Sequence, residues 1–68
     1  MFIELSENQC QFLADYPESG MGFQRINLTL RSGVHYNNLI VYSGYMLQIP
    51  QDTNFTSDDI LNIEFLGD

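Results

Sequence analysis

The spacing of apolar residues changes along this chain, and each spacing predicts a different element. Near the N-terminus the pattern is helical. Ser6 stands where an N-cap belongs, and Gln9 three residues later completes a capping box. Leu5 and Cys10 occupy the two positions of a hydrophobic staple, and Glu7 suits the positive end of the helix dipole. The helix is predicted to run to about Asp15 and to stop before Pro17. Leu13, Cys10 and either Ala14 or Tyr16 form its inward face. Met1 to Glu4 is either a short strand or a frayed lead-in. Glu18-Ser19-Gly20-Met21-Gly22 reads as a flexible connection, because two glycines within three residues allow a sharp change of direction.

From Arg25 onward the period is two. Ile26, Leu28 and Leu30 point one way, while Arg25, Asn27, Thr29 and Arg31 point the other. Arg31-Ser32-Gly33 reads as a three-residue hairpin loop with Gly33 at the position that needs positive φ. That register sets Leu30 against Val34, Leu28 against Tyr36, Thr29 against His35 and Asn27 against Asn37. A two-residue loop would set Leu30 against His35, and register follows the apolar pattern. A second hairpin is predicted at Ser43-Gly44, pairing Tyr42 with Tyr45, Val41 with Met46 and Ile40 with Leu47.

Parity carried through this meander predicts two faces. The core face holds Ile26, Leu28, Leu30, Val34, Tyr36, Asn38, Ile40, Tyr42, Tyr45, Leu47 and Ile49. The other face is polar at Asn27, Thr29, Arg31, His35, Asn37 and Gln48, and apolar at Leu39, Val41 and Met46. That second apolar patch needs a cover: the helix, the C-terminal strand or a second copy of the chain. Pro50 ends the third strand. Thr56 and Ser57 before Asp58-Asp59 read as a brief helical turn. Leu61, Ile63 and Phe65 alternate with Asn62 and Glu64, which predicts a final strand from about Ile60 to Phe65, with a short helix through Leu66 as the alternative. The predicted fold class is α+β: an N-terminal helix and a four-stranded antiparallel meander in one domain, with a curl into an SH3-like barrel as its possible form.

The order of helix, bent meander, short turn and closing strand resembles a small SH3-like barrel. Ile26-Asn27-Leu28-Thr29-Leu30, then Gly33, an apolar strand and Met46-Leu47, resembles the first motif of Sm-like proteins over about a third of the chain. The match departs at Asn38, where the family has its second glycine, at Gly44, where it has an aspartate, and at Gln48, where it has a base-contacting asparagine. The arginine and glycine of the second family motif have no counterpart in Asp59 to Asp68. The resemblance therefore implies a barrel topology without its RNA site.

Composition narrows the function. The chain has 68 residues, enough for one domain with a small core; folding buries only about 60% of the unfolded surface at this size. Cys10 is the only cysteine and His35 the only histidine, so neither an internal disulfide nor a Cys/His zinc site can form. No apolar run approaches the roughly 18 residues of a membrane span, and the start does not look like a signal peptide, so the expected compartment is the cytoplasm. The two N-x-Thr triplets, at Asn27 and Asn54, then read as chance. The net charge is −7, and the only cations are Arg25 and Arg31. Nucleic-acid binding and anionic membranes both need cations that this chain lacks. Its acids lie before Ser19 and after Gln51, leaving a weakly charged centre.

Candidate chemistry is sparse. Cys10 and His35 are the one Cys–His pair, predicted on different faces, and read as a buried thiol and a solvated imidazole. Asp58-Asp59 reads as capping and dipole partners rather than a catalytic pair. Gly20-Met21-Gly22 lacks the lysine and third glycine of a phosphate loop. The expectation is a non-enzymatic protein with no cofactor or metal, acting as a protein-interaction or assembly module. Its partner is another protein or a second copy of itself. An acidic inhibitor or immunity-type protein that binds a basic partner is the alternative, with an Sm-like RNA binder behind it. The candidate interface comprises Arg25, Arg31, Leu39, Val41 and Met46, with Tyr36, Tyr42 and Tyr45 as residues that combine apolar area with a polar tip.

Overall fold

A computed structural model describes residues 1–17 and 22–67; the connection expected at Glu18 to Met21 lies outside them. The elements in order are β1 (Phe2–Glu4), α1 (Glu7–Ala14), β2 (Phe23–Leu30), β3 (His35–Tyr42), β4 (Met46–Gln48), a 3₁₀ turn (Ser57–Asp59) and β5 (Ile60–Gly67). All strand pairs are antiparallel, in the order β1-β4-β3-β2-β5. The sheet therefore has five strands rather than four, because Phe2–Glu4, within the expected lead-in, is a strand paired with β4. The C-terminal segment is a strand and not a helix.

The helix starts as expected. Ser6 Oγ accepts from the Gln9 backbone N–H, and Gln9 Oε1 accepts from the Ser6 N–H at 2.9 Å. The Gln9 side chain also donates to the Ser57 carbonyl, tying the helix start to the 3₁₀ turn. Leu13 is its one buried residue; Cys10 packs against the core, and Ala14 and Tyr16 are exposed. Tyr16 instead stacks on Phe65, with ring centroids 4.4 Å apart. The helix end is held from the sheet. Gln24 is buried on β2, and its Nε2 donates to the carbonyls of Leu13 and Tyr16 at 2.9 and 3.1 Å. The Leu13 carbonyl also accepts from the Tyr16 N–H, so Gln24 adds to that closing turn and pins the chain just past the helix end.

The first hairpin has the expected register: Leu28 opposes Tyr36, Thr29 opposes His35, and the Leu30 N–H donates to the Val34 carbonyl. Gly33 has φ +94°, the conformation for which its lack of a side chain is needed. Val34 is exposed at the loop exit rather than in the core.

Beyond that point the register slips by one. Ile26 opposes Leu39, not Asn38, and the extra residue is Asn38, at φ +60°. Asparagine is one of the few non-glycine residues that tolerate this region. The Asn27 side chain secures the bulge: its Oδ1 accepts from the Asn38 N–H and its Nδ2 donates to Glu64 Oε1, both at 3.0 Å. A one-residue slip turns every following side chain to the opposite face. Leu39 and Val41 therefore face the core, and Ile40 and Tyr42 face out, which reverses the expectation for all four.

The second hairpin slips once more. Ser43 and Gly44 both have positive φ, and the Tyr45 N–H donates to the Tyr42 carbonyl, as a two-residue turn requires. Yet Tyr42 opposes Met46 and Val41 opposes Leu47, so Tyr45 is an added residue that leaves the core face. The two slips cancel. Leu47 and Ile49 return to the core face, where the alternation placed them.

β5 has the same device twice. Leu30 opposes Ile60 while Thr29 opposes Asn62, and Ile26 opposes Phe65 while Arg25 opposes Gly67. The extra residues are Leu61 and Leu66, and both are exposed. Leu61 thus leaves the face it was expected to share with Ile63. The finished core lies between α1 and one face of the sheet. It comprises Leu5, Leu13, Ile26, Leu28, Leu30, Val41, Leu47, Ile49, Phe55, Ile60 and Ile63.

Candidate functional site

The outward sheet face divides into two halves. The half across β2, β3 and β5 is polar. A shallow groove of about 500 Å³ runs there between Asn27, Thr29, His35, Asn37, Asn62 and Glu64. Its side chains largely satisfy one another: Thr29 Oγ1 lies 3.0 Å from His35 Nδ1, and Asn27 bridges the Asn38 bulge to Glu64.

The other half is aromatic. Its residues form two rows running across β2, β3, β4 and β1. Phe23, Tyr42, Met46 and Glu4 make one row; Arg25, Ile40, Gln48 and Phe2 make the next. Tyr42 sits at the middle. Its ring meets Phe2 edge-on at 5.9 Å and Phe23 at 6.3 Å, and its hydroxyl reaches Gln48 Oε1 at 3.4 Å. The Arg25 guanidinium lies 5.9 Å from the Phe23 ring centroid, a cation–π position. Phe2 is 49% exposed and Tyr42 37%, so a sizeable apolar cluster faces solvent.

The structure scatters the residues singled out in the sequence. Val41 is fully buried and Leu39 packs against the core, so the expected Leu39/Val41/Met46 patch does not form; the Asn38 bulge has turned the first two inward. Met46 lies on the outward face beside Tyr42. Tyr36 rims the core and stacks on Phe55 at 5.6 Å. Tyr45 is exposed in the turn, where its carbonyl accepts from the Leu5 N–H. Arg31 is engaged at the opposite end of β2: its Nε donates to the Asp58 carbonyl, and its backbone N–H to that of Asp59. Of the eight candidates, Arg25, Tyr42 and Met46 therefore share one surface. Phe2, Phe23 and Ile40 belong to that surface and escaped the sequence reading. Phe2 sits in a strand too short to show a period, and Phe23 precedes a buried glutamine, Gln24, that hides the alternation.

The Cys–His pair singled out in the sequence is not brought together. The Cys10 thiol lies against the core, 3.8 Å from the Leu5 carbonyl, while His35 is on the far face of the sheet with Thr29. Burial raises the thiol's pKa, and the nearby Glu4 and Glu7 carboxylates raise it further, which disfavours the nucleophilic thiolate. Asp59 accepts from the Thr56 N–H at 2.9 Å, so it caps the 3₁₀ turn. Among the described residues, no group of three or more His, Cys, Asp and Glu is placed to hold a metal ion. None of their helices is long and apolar enough to cross a membrane. Comparison with protein-family models, curated proteins and solved structures found no match.

Proposed function

We propose that this chain is a non-enzymatic protein-interaction or assembly module whose docking surface is the aromatic half of the outward sheet face. The observation that carries this reading is the exposed Phe2–Tyr42–Phe23 cluster with Arg25 over Phe23. Aromatic residues, methionine and arginine are the types enriched in protein interfaces. They are also costly to leave in water, and here they are adjacent instead of dispersed. An SH3-like curl of the sheet belongs to the same proposal. Its support is the bulges at Asn38, Leu61 and Leu66, since each bulge bends and twists a strand.

The test is site-directed photo-crosslinking in the native cell. A photoreactive residue at position 42 is expected to give a protein adduct of reproducible mass, and the adduct is lost when Phe2 is changed to Ser. The same probe at position 29, in the polar half, gives none. Equal labelling from positions 42 and 29 overturns the reading.

A further inference from the structure

The aromatic half of the outward face carries two charges, and their placement identifies its occupant. Arg25 closes one row at the β2 side and Glu4 closes the other row at the β1 side. They stand at diagonally opposite corners. Three strand spacings of about 4.8 Å separate them across the sheet, so they are about 15 Å apart and cannot neutralise each other within one chain. Between them lie Phe23, Tyr42, Met46, Ile40, Gln48 and Phe2, none of which is charged.

We infer that a second copy of this chain docks on this face, with Arg25 of each copy against Glu4 of the other. The inference rests on the interaction reading above and names the partner. A two-fold axis lying between two facing sheets exchanges the corners, so one contact becomes two, and the aromatic centres are buried against each other. Charge selects this face. The chain carries −7, so most of its surface repels a second copy. Among the described residues, the two rows of this face carry one cationic and one acidic side chain, which balance. Two rows across four strands make a small face beside the roughly 800 Å² per partner of standard interfaces, so a weak, reversible dimer is expected, dissociating between about 10 μM and about 1 mM.

Analytical ultracentrifugation of the full chain from about 10 μM to about 1 mM tests this range. The wild type is expected to shift from monomer to dimer, stopping at two copies. Arg25→Glu and Glu4→Arg each weaken dimerisation by about tenfold or more, because each places like charges in contact twice. The double variant Arg25→Glu/Glu4→Arg recovers to within about threefold of wild type, because the swap restores both pairs. Both positions are exposed, and urea unfolding of each variant confirms that the fold is intact. A wild type that stays monomeric throughout overturns the inference. So do single variants that dimerise like wild type, or a double variant as weak as the singles. A monomer that still gives the adduct from position 42 removes the self-partner and leaves the docking face standing.

Discussion

The two faces of the β3–β4 hairpin are made of neighbouring residues with nearly the same chemistry. Val41 and Leu47 are on the inward side; Ile40, Tyr42 and Met46 are on the outward side. Hydropathy does not separate these sets. One extra residue at Asn38 and one at Tyr45 decide which set meets the helix and which meets solvent. The difference teaches that in a small sheet with many apolar residues, local backbone irregularities distribute the core. The outward apolar set is then what remains after the core is complete.

Adjacent positions on β3 give the sharpest way to break this comparison. Val41→Asn places an unpaired amide in the core and is expected to cost roughly 3 kcal/mol or more. Ile40→Asn, one residue away, is expected to cost less than about 1 kcal/mol. Urea midpoints of the two variants measure the gap, and equal midpoints would contradict the assignment of faces. A glutamine on each face gives the next contrast. Gln24→Leu removes the two hydrogen bonds that hold the end of α1 and is expected to cost about 1–3 kcal/mol, read as loss of unfolding free energy. Gln48→Leu loses one long contact at the surface and changes stability by less than about 0.5 kcal/mol.

The bulge itself is the third target. Asn38→Val forces a β-branched side chain into left-handed backbone and is expected to cost about 1–2 kcal/mol, whereas Asn38→Gly is near neutral. If thermal unfolding shows the valine variant to be the more stable of the two, the chain has paired without the slip. The smallest effect is on the core side of the helix. The folded state holds the Cys10 proton more tightly than the unfolded chain does, because its thiol pKa is raised. That stability is complete below the ordinary thiol pKa and is lost as pH rises through the folded value. Alkylation of Cys10 is therefore expected to rise at higher pH in the native protein than in urea. A native profile matching the unfolded one would place the thiol in solvent.

The helix was legible because its signals are local: Ser6, Gln9, Leu5 and Pro17 act within a few residues of one another. The Arg31-Ser32-Gly33 loop was legible for the same reason, since Gly33 and the alternation on both sides agree. Of the aromatic outward face, Arg25, Tyr42 and Met46 were singled out, though for different surfaces. Tyr42 was assigned to the core, and Met46 to a patch with Leu39 and Val41, which turned inward. Phe2 was missed because a three-residue strand carries too few positions for a period, and it becomes a strand only by pairing with β4.

The sequence by itself therefore determined the elements other than β1, the first hairpin register beside its loop, the acidic ends and the shortage of cations, all of which follow from local pattern or from counting. Tertiary structure decided which apolar residues became core. Alternation is a relative signal: it says that Ile40 and Val41 face opposite ways, not which of them is inside. That choice depends on whether Asn38 pairs or bulges, and the contacts that settle it come from Asn27 across the hairpin and from Glu64 behind Asn27 on β5, at the far end of the chain.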